Sequence, residues 1–284
     1  MKKSRKKKTS IFFISLIALI LFFYLQNNSI VTTESMFRSK NIPMNFNNYK
    51  IVQLSDLHGK EFGKNQRTLV RKVENEKPNL IVFTGDLIDS NKYVDKHSIT
   101  LMKELVKIAP VFFVTGNHEW WSGKYDSLEG KLKDAGVKVL RNETVEIERK
   151  GKTIQLIGID DPAKKTEYLN EIQMTEENIK SSMKEFENRS EFKILLSHRP
   201  EMISLYANYG FDLVFSGHAH GGQIRIPFVG GVVAPNQGFL PKYTAGEYKL
   251  KNTTMIVNRG LGNSIIPLRI FNRPEVVVVT LKSK

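Results

Sequence analysis

The chain opens on an apolar run, Ile11 to Leu25, interrupted only by Ser15. Read as a helix from Thr9 to Gln26, it measures ~27 Å at ~1.5 Å per residue, close to a bilayer core of ~30 Å. It has no polar face, unlike the surface helix of a soluble domain. Beyond it the pattern changes. Short, mainly apolar runs at Tyr49–Leu54, Leu80–Phe83, Val111–Val114, Phe192–Leu196 and Leu213–Phe215 predict buried strands. Between them, helical spacing predicts helices over Asn65–Glu74, Ile99–Ile108, Tyr125–Ala135, Glu171–Phe186 and Met202–Ala207. Val137–Leu140, Val145–Glu148 and Thr153–Ile159 read as further strands. From Gln223 onward strand and turn dominate, at Ile224–Ile226, Met255–Asn258 and Val276–Leu281. Strands alternating with helices predict an α/β domain, and the strand-rich end predicts a second sheet.

Charge sharpens the reading of the first segment. Of a net +14 over 284 residues, Lys2, Lys3, Arg5, Lys6, Lys7 and Lys8 supply six charges, and the remaining 276 residues carry +8 with signs interspersed. No later run resembles a nucleic-acid-binding arm, so no nucleic-acid partner is expected. Basic residues directly before an apolar span place the N-terminus in the cytoplasm and the rest of the chain outside. No small-residue cleavage pattern follows Leu25, so a single-pass signal-anchor is expected rather than a cleaved signal peptide. No Arg-Arg pair precedes the run, and a twin-arginine route is not indicated. The expected organisation is a basic cytoplasmic tail over 1–8, a transmembrane anchor over 9–26, a polar tether over 27–45 and a catalytic domain over 46–284. The chain has no cysteine, which excludes disulfide scaffolds, thiolate metal sites and cysteine nucleophiles.

The candidate chemistry lies at strand ends. Ser55-Asp56-Leu57-His58, Thr84-Gly85-Asp86, Thr115-Gly116-Asn117-His118-Glu119, Ser197-His198 and Ser216-Gly217-His218-Ala219-His220 each follow a predicted strand. Ligands of open α/β sheets bind outside the carboxyl ends of strands, so five such turns can converge on one place. Five of the six histidines lie in these turns, and only His97 lies elsewhere. Imidazole and carboxylate without thiolate suit Mn, Fe, Zn, Ni or Co. Asp56, His58, Asp86, Asn117, His198, His218 and His220 are too many ligands for one ion. A shared carboxylate lets two ions divide them. Such a pair lowers the pKa of a bridging water and clamps the oxygens of an in-line displacement, the chemistry of phosphoester hydrolysis. Asp160, Asp161, Arg199, Arg259 and the Trp120-Trp121 pair are weaker candidates for support or substrate contact. Gly260-Leu261-Gly262 is not a dinucleotide fingerprint, and no G-x-S-x-G serine-hydrolase motif occurs.

This motif order resembles the calcineurin-like metallophosphoesterase superfamily, whose pattern runs D-x-H, G-D, G-N-H-E, an isolated H, then G-H-x-H. All five motifs are present in order, and the resemblance covers about residues 46 to 284. The N-terminal anchor, Gly158-Ile159-Asp160-Asp161-Pro162, Gly221-Gly222-Gln223 and Arg259-Gly260-Leu261-Gly262 look like the YkuE/YaeI-like bacterial branch of membrane-associated or exported enzymes. The resemblance implies a four-layer α/β/β/α sandwich of two mixed sheets. It implies that Asp56, His58, Asp86 and His220 hold one metal, that Asp86, Asn117, His198 and His218 hold the second, and that His118 protonates the leaving group. Manganese is the expected ion, with Fe, Zn, Ni or Co compatible. The expected activity is a membrane-anchored phosphodiesterase acting on a lipid-headgroup or cell-envelope phosphodiester. A phosphomonoesterase and a pyrophosphohydrolase of nucleotide-sugar lipids are the enzymatic alternatives, and a non-catalytic binding scaffold is the remote one.

Overall fold

The computed structural model describes residues 2–164, 169–184, 191–263 and 267–284. Helix α1 (Lys2–Asn28) is longer than the apolar run, because lysine and arginine are good helix formers and continue it backwards. Its stretch Lys7–Asn28 is long and apolar enough to cross a membrane.

Six strands form the first sheet: β1 (Val31–Ser39), β2 (Lys50–Leu54), β3 (Leu80–Thr84), β4 (Val111–Val114), β5 (Lys138–Val139) and β16 (Glu275–Ser283), in the order β1-β16-β2-β3-β4-β5. The second sheet contains β6 (Glu143–Arg149), β7 (Lys152–Gly158), β8 (Lys193–Leu196), β9 (Leu213–Ser216), β14 (Gly246–Leu250) and β15 (Thr253–Val257), in the order β14-β15-β9-β8-β7-β6. Both sheets are mixed. β2 to β5 are parallel, with β16 antiparallel to β2, and β7, β8, β9 and β15 are parallel between antiparallel edges β6 and β14. Two small hairpins lie between β9 and β14 in the chain, β10 (Arg225–Ile226) with β11 (Gly230–Gly231), and β12 (Val233–Ala234) with β13 (Gly238–Phe239).

Side-chain alternation along each strand sorts the core into layers. In β3, Leu80 and Val82 point between the sheets and meet Leu156, Ile194, Leu196 and Phe215 of the second sheet. Ile81 and Phe83 point the other way, among Leu69 and Val73 of α2 (Arg67–Asn75), Leu101 and Leu105 of α3 (Lys96–Leu105), and Leu128 and Leu132 of α5 (Tyr125–Asp134). On the far face of the second sheet, Ile157, Leu195 and Val214 pack on Ile179 and Met183 of α6 (Glu171–Met183) and Ile203 of α7 (Ile203–Asn208). The result is the expected four-layer α/β/β/α sandwich. The short helix α4 (Asn117–Trp121) caps the end of β4. The helix expected over Glu171–Phe186 is observed to Met183, and its last two residues lie outside the described residues.

One expectation is corrected. The stretch 27–45 is not only a polar tether, because Val31–Ser39 within it is a strand that pairs in parallel with β16, Val31 against Glu275 through Ser39 against Ser283. Its polar composition suits an edge strand with one wet face, and its partner is remote in sequence, so local patterning could not reveal it. Only about two residues separate the membrane-length helix from the sheet.

Candidate metal centre

The carboxyl ends of β2, β3, β4, β8 and β9 meet at one rim of the sandwich. There the backbone is unusual. Asp56, His58, Asp86, His218 and His220 all adopt the left-handed region, with φ between 47° and 65°. Each such non-glycine residue costs roughly 1 kcal/mol or more, so strain accumulates where the candidate ligands sit, a pattern typical of functional sites. The glycines before them are needed for close approach. A Cβ on Gly85, itself at φ 88°, would lie 2.6 Å from the Gly116 nitrogen and 2.7 Å from His198 Nδ1. A Cβ on Gly217 would collide with Ser55 Oγ and Asp56 Oδ2.

These turns bring all seven expected ligand residues into the buried rim. Asp56, His58, Asp86 and His220 form one cluster whose ligand atoms lie within 4.8 Å of one another, and Asp86, His198 and His218 form a second, so Asp86 belongs to both. His58 Nε2 faces His220 Nε2 at 3.0 Å, and His198 Nε2 faces His218 Nδ1 at 3.1 Å. His220 Nε2 lies 3.4 Å from Asp56 Oδ1, and His198 Nε2 lies 3.2 Å from Asp86 Oδ2. Donors this close suit a cation: at ~2.1 Å from an ion, two donors at right angles stand ~3.0 Å apart. Asn117 Oδ1 is buried without a hydrogen-bond partner, as an amide oxygen awaiting a cation is. The residues therefore fit two metal ions sharing one carboxylate.

Electrostatics agrees. Burial depresses His58 to about 4, and it holds His218 and His220 well below the ordinary histidine range. These three rings are neutral and offer lone pairs. Burial raises the Asp56 carboxyl, aided by the charge of Asp86. Burial opposes ionisation of Asp86 as well, but His198 overrides it and holds Asp86 well below the usual carboxylate range. His198, which burial alone would discharge, is lifted to about 10 chiefly by Asp86. A bound cation would neutralise the same carboxylate.

Supporting groups fix these side chains. His198 Nδ1 faces the Thr84 carbonyl at 2.7 Å, which orients its Nε2 toward Asp86. Glu119 is buried, and its carboxylate accepts N–H groups of Asp86 (2.8 Å), Leu87 (2.8 Å) and Gly116 (2.7 Å), tying the β3 turn to the β4 turn. Burial, then the charge of Asp86, raises Glu119 above its ordinary range. Asn272 donates to the carbonyls of His220 (2.7 Å) and Gln223 (2.9 Å). Thr84, Glu119 and Asn272 were not among the expected site residues. Glu119 carried a signal, two places after Asn117 in the first turn of a helix, where an acid can reach back to free N–H groups. Asn272 carried none.

His118 stands apart. Its ring is half-buried, packs edge-on against His58 with 4.5 Å between centroids, and belongs to neither ligand cluster. The Ser90 backbone N–H donates to His118 Nδ1 at 3.1 Å, so in the neutral ring the proton is on Nε2. The cleft beside it has a volume of about 220 Å³ and is lined by Asp86, Ser90, Asn91, Asn117, His118, Trp121, His218, His220 and Pro235.

The weaker candidates divide. Trp121 is exposed at the cleft, whereas Trp120 packs on Tyr125 with Arg141 over its ring. Arg199 is buried and doubly bonded to Asp161 at 2.7 and 3.0 Å, and Asp160 takes Arg141 at 2.8 and 2.9 Å, so these three tie loops together. Arg259 pairs with Glu275. His97 lies on α3, opposite Glu61, away from the rim.

A sequence profile described as calcineurin-like phosphoesterase matches residues 49–222, from the start of β2 to just past His220. The chain is 34% identical over 263 residues to the uncharacterized metallophosphoesterase YkuE of Bacillus subtilis (strain 168), covering 89% of this chain and 86% of that one. It is 28% identical over 248 residues to the phosphodiesterase YaeI of Escherichia coli (strain K12), covering 82% of each. Among solved structures, TT1561 of Thermus thermophilus shares the fold with a TM-score of 0.51 at 13% identity, covering 75% of this chain and 90% of that one.

Proposed function

The chain belongs to the calcineurin-like phosphoesterase family and is a hydrolase with an Asp/His metal cluster; from that premise we propose a phosphodiesterase acting on a lipid-headgroup or cell-envelope phosphodiester. Asp56, His58, Asp86 and His220 would hold one ion, and Asp86, Asn117, His198 and His218 the other, with manganese the leading candidate. When bound, such a pair supplies a Lewis acid for phosphoryl oxygens and a water of lowered pKa. The residues of the chain do the rest. Glu119 and the Thr84 carbonyl hold Asp86 and His198 in place, so little reorganisation accompanies binding. His118 keeps a proton on Nε2 at the cleft and delivers it to the oxygen of the departing alcohol. The observation that carries the reading is the sharing of Asp86 between two clusters, with a non-ligand imidazole beside them.

In the same reading α1 is a signal-anchor with residues 1–8 in the cytoplasm and the sandwich outside. Its basic start and apolar length support this. The full chain, loaded with Mn in detergent or vesicles, should hydrolyse alkyl and glycerophospho-diesters with higher kcat/KM than the matching monoesters. Higher kcat/KM on monoesters or on pyrophosphates would overturn the phosphodiesterase assignment.

A further inference from the structure

Most of α1 is bare, but its last turns are not. Residues 11–21 are exposed, whereas Phe22 and Phe23 are half-buried against the sandwich. The Phe22 ring stands 5.7 Å from that of Phe271. The helix end is locked into the domain: Lys60 Nζ donates to the Asn27 carbonyl, the Arg269 N–H to Asn27 Oδ1 at 3.2 Å, and Arg273 Nε to the Ser29 carbonyl at 2.9 Å. Two basic side chains, Lys60 and Arg273, thus meet carbonyls at a helix C-terminus, where the dipole favours them.

This joint fixes depth. Phe22 lies within the apolar run, six residues before Asn28, or ~9 Å along the axis. A ring held against Phe22 is therefore held at the level of the apolar part of α1. Phe271 shares a cleft of about 370 Å³ with Ile226, Phe228 and Val229 at the tip of the β10–β11 hairpin. These large apolar side chains face outward: Phe228 is fully exposed, and Val229 and Phe271 are 63% and 54% exposed. Arg225 lines the same cleft. Aromatic and aliphatic side chains at a tip, with arginine behind them, are the chemistry of a bilayer interface.

We propose that the hairpin tip Ile226–Val229, together with Phe271, is a second membrane contact that sinks into the leaflet beside α1. This rests on the reading of α1 as a membrane span. Its functional consequence follows from the frame it shares with the site. Asn272, next to Phe271, holds the His220 carbonyl, and Pro235, in the adjoining β12–β13 hairpin, lines the catalytic cleft. The cleft is then pinned beside the headgroup layer, which favours a phosphodiester presented by a lipid over one free in solution.

The cysteine-free sequence makes the test direct. Full-length chains carrying Phe228→Cys, Ile17→Cys or Lys152→Cys are labelled with an environment-sensitive fluorophore and reconstituted into phosphatidylethanolamine–phosphatidylglycerol vesicles. Lys152 begins β7, at the end of the sandwich away from the site. The label at 228 should show blue-shifted emission, loss of fluorescence with nitroxide lipids and protection from aqueous iodide, as the label at 17 does. The label at 152 should show the opposite. A label at 228 that iodide quenches like the one at 152, while the label at 17 is lipid-quenched, overturns the second contact and leaves the span intact. Protection from iodide at 228 without quenching by lipid nitroxide puts a protein on this face and also overturns it. Iodide quenching at both 228 and 17 overturns the span and the second contact together.

Discussion

The two sheets contribute unequally to the rim where they meet. The first supplies both carboxylates and the amide among the proposed ligands, through Asp56, Asp86 and Asn117, with one imidazole from His58. The second supplies only imidazoles, His198, His218 and His220. One ligand cluster is three parts first sheet and one part second, and the other joins Asp86 of the first to two histidines of the second. Neither sheet carries a complete set. The carboxylates gather on one side of the seam and three imidazoles on the other, so a cation held there would bridge the layers.

The sharpest way to break this arrangement is at the shared residue. Asp86→Ala should remove both ions and lower kcat/KM by ~10³-fold or more. His58→Ala and His218→Ala should each weaken chiefly one ion, on opposite sides of the seam. Elemental analysis of each variant checks the division; equal loss of both ions in all three would undo it. Next in size is His118→Ala, which leaves the ligands alone. It should slow alkyl diesters by ~10²–10⁴-fold and nitrophenyl diesters far less, because nitrophenolate leaves without a proton. Steady-state kinetics on the two esters, with metal content unchanged, separates acid from ligand, and equal losses would remove His118 from catalysis.

Smaller effects test the seam as structure. Stripping the metals should lower Tm, since an ion present at a hundred times its Kd stabilises by about 2.7 kcal/mol. Calorimetry of the full chain with and without chelator reads this, and an unchanged Tm would mean the layers do not depend on the ions. Last, Gly123→Ala should cost only ~1 kcal/mol, the price of a left-handed φ in open space. Gly85→Ala meets the β4 turn and the His198 ring as well, and should cost more stability and some metal content. Denaturant titration ranks the two.

The unequal contribution also explains what the sequence made legible. Strands β2, β3, β4, β8 and β9 are buried on both faces, so they appear as mainly apolar runs, and each is followed by its ligand turn. All seven expected ligand residues come together because their spacing is local to those turns. The parts that could not be read depend on distant partners. β1 looks like a polar linker until β16 lies beside it, and Arg199 looks like a phosphate clamp until Asp161 occupies it. Asn272 acts through a carbonyl in another segment, which no periodicity encodes. β10 falls within the strand expected at Ile224–Ile226, whereas β11, β12 and β13 are two-residue strands too short to announce themselves.

The pairing of β1 with β16 has a consequence for how the protein is made. β16 lies between β1 and β2 in the finished sheet, yet it is synthesised long after both. While the chain is emerging, the strand nearest α1 has no neighbour, and β2 shows an open edge to whatever is nearby. The first sheet closes only when residues 275–283 arrive and slot between them. A nascent chain stalled before Glu275 would carry every strand-end turn of the rim and still lack the strand that joins them to the α1 end, leaving two unpaired edges exposed to proteases and to other chains.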